Sequence, residues 1–74
     1  MTVNIDGKDY TYSNDDTWEV QVGKGSSAYK TRYSFNNPSK AVFYFSSINI
    51  GRGYKKRLIL NQNNLKIKIA KSIS

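Results

Sequence analysis

The sequence predicts a small α+β fold, a single domain over residues 1–74, with one helix packed on one face of an antiparallel sheet of about four to six strands. Three pairs of segments alternate apolar and polar residues, and short turn sequences separate the two members of each pair. Between the second and third pairs lies one segment with helical periodicity. The predicted order is hairpin, hairpin, helix, hairpin.

The first two hairpins are identified by alternation and by their turns. Residues 3–5 and 10–12 flank Asp6-Gly7, a sequence typical of a tight hairpin turn. Residues 18–22 and 29–35 flank a glycine-rich turn. The alternation in the second of these strands predicts three aromatic side chains that face the core: Tyr29, Tyr33 and Phe35.

The helical segment follows Asn37, a favourable N-cap, and Pro38 occupies the first helical position, where its missing N–H costs nothing. A helix of about 12 residues places Phe43 on its outer face, and Gly51 is the residue expected to end it in a left-handed conformation. The residues of the inner face are Ala41, Tyr44, Phe45 and Ile48. Because residues 41–45 are also rich in β-prone types, the alternative is a small all-β barrel in which they form a strand.

The third hairpin pairs residues 54–60 with residues 65–69 across an asparagine-rich turn at 61–64. Its alternation predicts two sets of side chains on opposite faces of the sheet. The core set is Leu58, Leu60, Leu65, Ile67 and Ile69. The outward set is Lys55, Arg57, Ile59, Lys66 and Lys68.

Charge is divided unevenly along the chain. Twelve basic and five acidic residues give a net charge of +7. All five acids lie in residues 1–19 with Lys8 as the one base there, a balance of −4, whereas residues 20–74 contain eleven bases and no acid. This asymmetry predicts a partner that is recognised by charge.

The composition also excludes several classes of chemistry. The sequence has no cysteine and no histidine, so disulfides, the usual zinc sites and the common Ser-His and Cys-His catalytic pairs are excluded. Gly23-Lys24-Gly25-Ser26 lacks the spacing of a phosphate-binding loop. No apolar run is long enough to span a membrane, and the first residues do not resemble a secretion signal. We therefore expect a cytoplasmic, non-enzymatic protein with no membrane partner, metal or small-molecule cofactor.

A basic sheet face is the predicted binding surface. With the helix on one face, the other face would carry Lys30, Arg32, Lys55, Arg57, Lys66 and Lys68. Four cations follow the helix within six residues, more than are needed to complement its dipole, and Tyr54 is a candidate stacking group beside Arg52. The candidate binding residues are Lys30, Arg32, Arg52, Tyr54, Lys55, Lys56, Arg57, Lys66 and Lys68. They predict a module that contacts nucleic-acid phosphates or a nucleoprotein.

Two other function classes stay open on the sequence. The first is a protein-interaction inhibitor, such as a phage-encoded anti-defence (anti-CRISPR-like) protein, which binds an acidic host protein or a nucleoprotein complex and uses Phe43 as a contact. The second is a small nuclease that works without histidine. No paired acid and base can be placed at one site from their spacing, which disfavours the nuclease.

Overall fold

The computed structural model describes the backbone of residues 1–73 and the side chains of residues 1–70, and its elements follow the predicted order. The strands are β1 (Thr2–Ile5), β2 (Lys8–Thr11), β3 (Thr17–Lys24), β4 (Lys30–Phe35), β5 (Tyr54–Gln62) and β6 (Leu65–Ile73), and the helix is α1 (Pro38–Ser47). Both β1–β2 and β5–β6 turn through residues with positive φ, Asp6-Gly7 and Asn63-Asn64, as two-residue hairpin turns require. The predicted α+β class is confirmed.

The strands form two antiparallel sheets. One contains β1 and β2, and the other has the order β4-β3-β5-β6, so that β3 and β5 are central. The helix contacts β3, β4 and β5 from one side. Over residues 1–73 the sheets do not close on themselves, and 41–45 is helical, so the all-β barrel alternative is wrong. No helix in this part of the chain has the length and apolarity needed to cross a membrane.

The core lies between α1 and the central strands. Trp18 pairs with Leu60 and Val20 with Leu58, and these four side chains are almost completely buried. Ala41 contacts them from the helix, where a small side chain allows close approach. Burial of each large apolar side chain contributes about 1.5 to 3 kcal/mol, so this small cluster supplies much of the folding free energy.

The helix begins as predicted but ends earlier. The Asn37 side chain accepts hydrogen bonds from the backbone N–H groups of Ser39 (2.8 Å) and Lys40 (3.3 Å). The last helical residue is Ser47, and Ile48 has an extended backbone while its side chain packs against the core. The prediction that Gly51 ends the helix is therefore wrong. The left-handed glycine is Gly53, in the turn that leads into β5.

A β-bulge in β4 changes which way its aromatic residues face. Val20 pairs with Tyr33 but Gln21 pairs with Thr31, so Arg32 is an extra residue. Tyr33 lies on the helix side with its ring 4.6 Å from that of Tyr44, but it is 51% exposed and is not part of the core that the sequence predicted for it. Residues before the bulge alternate in the opposite sense, and the prediction that Tyr29 faces the core is wrong.

The last hairpin keeps most of its predicted facing. Leu58 and Leu60 are buried on the helix side, and Ile67 packs against the same cluster. Leu65 does not join the core, because it begins the edge strand directly after the turn and is 65% exposed. Ile59 faces away from the helix as predicted, yet it is only 3% exposed, since the register places it between the long side chains of Glu19 and Lys68.

Candidate nucleic-acid interface

The face of the four-stranded sheet opposite α1, called here the open face, carries four cationic side chains among those that the structure describes (residues 1–70). Lys55 and Arg57 come from β5, and Lys66 and Lys68 from the neighbouring strand β6. They face away from the core because Leu58, Leu60 and Ile67, which have the opposite parity along the two strands, face the core. These four residues are called the basic face below.

The other five candidate residues do not lie on the basic face. Lys30 pairs with Val22, which follows Val20 on the helix side of β3, because the bulge shifts the register of β4. Arg32 is the bulge residue itself and is exposed on the edge strand. Arg52 is exposed in the turn before β5. The two remaining candidates, Tyr54 and Lys56, make contacts on the helix side.

Lys56 stabilises the end of the helix. Its Nζ donates a 2.6 Å hydrogen bond to the backbone carbonyl of Phe45 and lies 4.9 Å from the centre of the Phe45 ring. The carbonyl groups of a final helical turn have no partner within the helix, so this ammonium satisfies one of them and complements the helix dipole. Lys56 therefore does not share a face with Lys55 and Arg57, contrary to the predicted single cluster.

Tyr54 packs at the corner between the helix and β5. Its ring lies 5.5 Å from Nζ of Lys24, the residue that it pairs with in β3. A Cβ atom on Gly51 would approach the ring to 3.1 Å, so the absence of a side chain at Gly51 leaves space for the ring. The cation beside Tyr54 is therefore Lys24, whereas the sequence had indicated Arg52.

A buried carboxylate lies at the centre of the open face. Glu19 is 5% exposed, and its Oε1 accepts hydrogen bonds from Thr31 Oγ1 (2.8 Å) and Gln21 Nε2 (2.9 Å). Asn61 Nδ2 donates to Oε2 at 2.8 Å, and Nζ of Lys66 lies 3.5 Å from Oε1. The negative charge is thus surrounded by donors from three neighbouring strands and by one cation.

These donors determine the ionisation of Glu19. Burial raises the pKa of the carboxyl, but hydrogen bonds from Asn61, Thr31 and Gln21, together with the Lys66 ammonium, more than offset it, so the pKa lies below its usual value. Glu19 is therefore ionised at neutral pH. Because its charge is offset locally, it subtracts little from the positive potential of the basic face.

Arg57 is held in a defined position on the open face. Its Nε donates a 2.7 Å hydrogen bond to Oε1 of Gln21, and its guanidinium carbon lies 3.9 Å from the centre of the Tyr29 ring. Cation–π contact of this kind stabilises a stacked guanidinium. Among the described residues, Nε is the only side-chain atom of Arg57 with a hydrogen-bond partner.

Lys55 contacts the same Tyr29 ring as Arg57 does. Its Nζ is 4.7 Å from the centre of the Tyr29 ring. The lysine stem lies opposite Gly23, where a Cβ atom would come within 3.0 Å of the Lys55 Cε. The Tyr29 hydroxyl is buried with no hydrogen-bond partner in the described part of the chain, so what Tyr29 contributes here is its ring.

The four acidic residues other than Glu19 lie in the first 16 residues of the chain. Asp6 and Asp9 lie in the first hairpin, and Asp15 lies in the loop before β3. Asp16 accepts a hydrogen bond from the backbone N–H of Ser13, which lowers the pKa of its carboxyl. No three acidic side chains come together as a metal site within the part of the chain that the structure describes.

A second exposed feature lies on the helix. Phe43 faces outward as predicted and is 74% exposed. One apolar groove beside it runs between α1 and β1 past Val3 and Val42, and another runs toward Phe35 and Tyr44. This surface is on the opposite side of the sheet from the basic face.

Comparisons with protein-family models, with curated proteins and with solved structures found no match to this chain.

Proposed function

We propose that this protein is a non-enzymatic module that binds the phosphates of a nucleic-acid backbone through the basic face. The observation that carries the proposal is the convergence of Lys55, Arg57, Lys66 and Lys68 on one face of the sheet. The acidic group among them, Glu19, already has its charge offset by surrounding donors.

The spacing of these cations suits a repeating anion. Alternate residues of one strand are about 6.6 to 6.8 Å apart, and neighbouring strands are about 4.8 Å apart, so the four charges occupy a compact patch. Each phosphate that such a patch neutralises releases condensed counterions, which supplies affinity without reading sequence.

Base recognition is not expected from this face. The polar side chains that accompany the cations are Gln21, Thr31 and Asn61, and each donates a hydrogen bond to Glu19. Contacts to phosphates position a protein on nucleic acid, whereas contacts to base edges specify sequence. We therefore propose binding that tolerates many sequences.

Binding should fall steeply with salt. With about three or four phosphates neutralised, the logarithm of the association constant for duplex DNA should decrease with the logarithm of salt at a slope of about −2.7 to −3.6. Between about 50 and 200 mM salt this corresponds to a loss of roughly 40- to 150-fold. Fluorescence anisotropy of labelled DNA and RNA measures it directly. Absence of binding at the lower salt, or affinity that ignores salt, would contradict the proposal.

A second candidate function is a protein-interaction inhibitor that binds a host protein or nucleoprotein complex. The observation that favours it is Phe43, a large aromatic side chain left 74% exposed between two apolar grooves. Exposed aromatic anchors of this kind are enriched among the residues that dominate the energy of protein interfaces.

Replacing Phe43 with aspartate is the test of this second candidate. The substitution should remove a stoichiometric complex that survives nuclease treatment, because a charged side chain cannot enter an apolar pocket without losing its hydration. Pull-down with the wild-type and variant proteins measures the complex, and circular dichroism checks that the helix is retained. Asn49→Asp, at an exposed position just after α1, adds the same charge and should leave the complex intact. If Phe43→Asp recovers as much of the complex as the wild type does, Phe43 has no role in binding the partner.

A further inference from the structure

We propose that the guanidinium of Arg57 is a fixed, bidentate phosphate site and that Gln21 and Glu19 are the residues that position it. This inference rests on the proposed function and adds to it. The basic face then contains one oriented phosphate contact in addition to its lysine ammonium groups.

The guanidinium of Arg57 is held at two points, by the 2.7 Å hydrogen bond from Nε to Gln21 Oε1 and by the cation–π contact with Tyr29, whose ring centre is 3.9 Å from the guanidinium carbon. Gln21 is only 3% exposed, so the acceptor cannot move freely. A side chain that is ordered before binding loses less conformational entropy when it meets its ligand.

The orientation of the Gln21 amide is set by Glu19. The amide Nε2 donates to Oε1 of Glu19 at 2.9 Å, which directs the amide oxygen toward Arg57. The reversed amide would place an oxygen against the Glu19 carboxylate and a nitrogen against the Arg57 donor, an arrangement with two repulsive contacts. The buried carboxylate therefore acts on Arg57 through Gln21.

Most donors of the Arg57 guanidinium remain available for a ligand. A guanidinium has five N–H groups, and here the hydrogen bond to Gln21 uses only the one on Nε. The two terminal nitrogens have no hydrogen-bond partner among the described residues, and their parallel N–H groups match two oxygens of a phosphate. Lys55, over the same ring, supplies a second positive charge beside this position.

The Tyr29 ring is occupied by these cations. Because Lys55 and Arg57 both make cation–π contacts with it, the ring is not the surface on which a base would stack. The chemistry that the site recognises is therefore a phosphodiester group of the backbone, held by a planar pair of donors and a neighbouring ammonium.

Charge-conserving variants test this inference. Arg57→Lys keeps the net charge but removes the planar pair of donors, and Gln21→Met keeps Arg57 but removes its acceptor. With a short labelled DNA duplex, each should bind about tenfold more weakly than wild type, the equivalent of one charge-assisted hydrogen bond. The slope of affinity against salt should stay unchanged, since the number of cations is the same.

The matched control is Arg32→Lys, the same substitution at the exposed bulge of the edge strand, which should bind as the wild type does. Circular dichroism and urea unfolding establish that Gln21→Met is folded, and Arg57→Lys decides the question if it is not. Wild-type affinity in the folded variants would overturn the oriented site while leaving the proposed function standing. If the wild-type protein itself does not bind the duplex, the proposed function and this inference both fail.

Discussion

Replacement of Lys55, Arg57 and Lys68 together by alanine is expected to abolish nucleic-acid binding at physiological salt. Each phosphate contact contributes about one unit to the salt slope, so removing three should leave a slope near zero to one. Lys66 is kept in this variant because it lies against the Glu19 carboxylate, and Lys56 is kept because it holds the end of the helix. The loss should therefore occur without unfolding, which circular dichroism verifies.

The matched control removes three cations that do not lie on the basic face. Lys24, Lys30 and Lys40 are exposed, and replacing them by alanine lowers the net charge by the same three units, from +7 to +4. This control should keep most of the wild-type affinity and its salt slope. If both triple variants lose binding equally, affinity depends on net charge alone and the basic face has no special role.

Replacement of Glu19 by alanine is expected to produce the largest loss of stability among substitutions on the open face. It removes the acceptor of the Thr31 hydroxyl and the Asn61 amide, whereas Gln21 keeps a 3.2 Å hydrogen bond to Thr31 and Lys66, 49% exposed, can be hydrated. Donors removed from water and left without partners cost about 1 to 3 kcal/mol, and a domain of this size has a margin of only about 5 kcal/mol. Urea unfolding at neutral pH measures the loss, and Glu19→Gln, which keeps one acceptor oxygen, should lose less.

The same carboxylate predicts a pH dependence. Because the pKa of Glu19 is lower in the folded protein than in the unfolded chain, its contribution is present above the unfolded value of about 4.3 and is lost as pH falls through the folded value. Asp16, whose pKa is also lowered, acts in the same direction. Wild type should therefore lose more stability between pH 7 and pH 3 than Glu19→Gln does. Identical losses in the two proteins would show that Glu19 is not held by the donors described above.

The sequence was sufficient to predict features that depend on neighbouring residues. Asp6-Gly7 fixed the first turn, and Asn37-Pro38 fixed the start of the helix, because each acts through its own backbone. The two-residue spacing of Lys55 and Arg57, and of Lys66 and Lys68, placed these cations on one face because β5 pairs regularly with β3 and the register shift in β6 comes only after Lys68. Local chemistry decided these features.

Features that depend on pairing between strands were not predictable in the same way. One extra residue at Arg32 moved Tyr29 to the open face and Lys30 to the helix side, and no turn signal marks this bulge in the sequence. Alternation did place Glu19 and Gln21 on one face. Their hydrogen bonds, however, require donors brought from β4, β5 and β6 in a particular register.

The role of Lys56, as distinct from the side of the sheet that it faces, depended on tertiary structure. Its position after the helix indicated a basic cluster. In β5, however, it lies two residues before Leu58 and therefore faces the same, helix side of the sheet. Because α1 ends at Ser47, the chain returns so that the Lys56 ammonium meets the Phe45 carbonyl. Contacts between elements, which the spacing along the chain does not show, decided its role.

Whether nucleic acid binds the open face of the sheet can be decided by an NMR titration with a short DNA duplex. The Arg57 Nε–H and the methyl groups of Ile59 report on the open face, whereas Ala41 and Phe43 report on the helix side. We expect the first two to shift on addition of DNA while the helix signals stay in place. Shifts confined to α1 or to the first hairpin would place the binding surface elsewhere and contradict binding through the basic face.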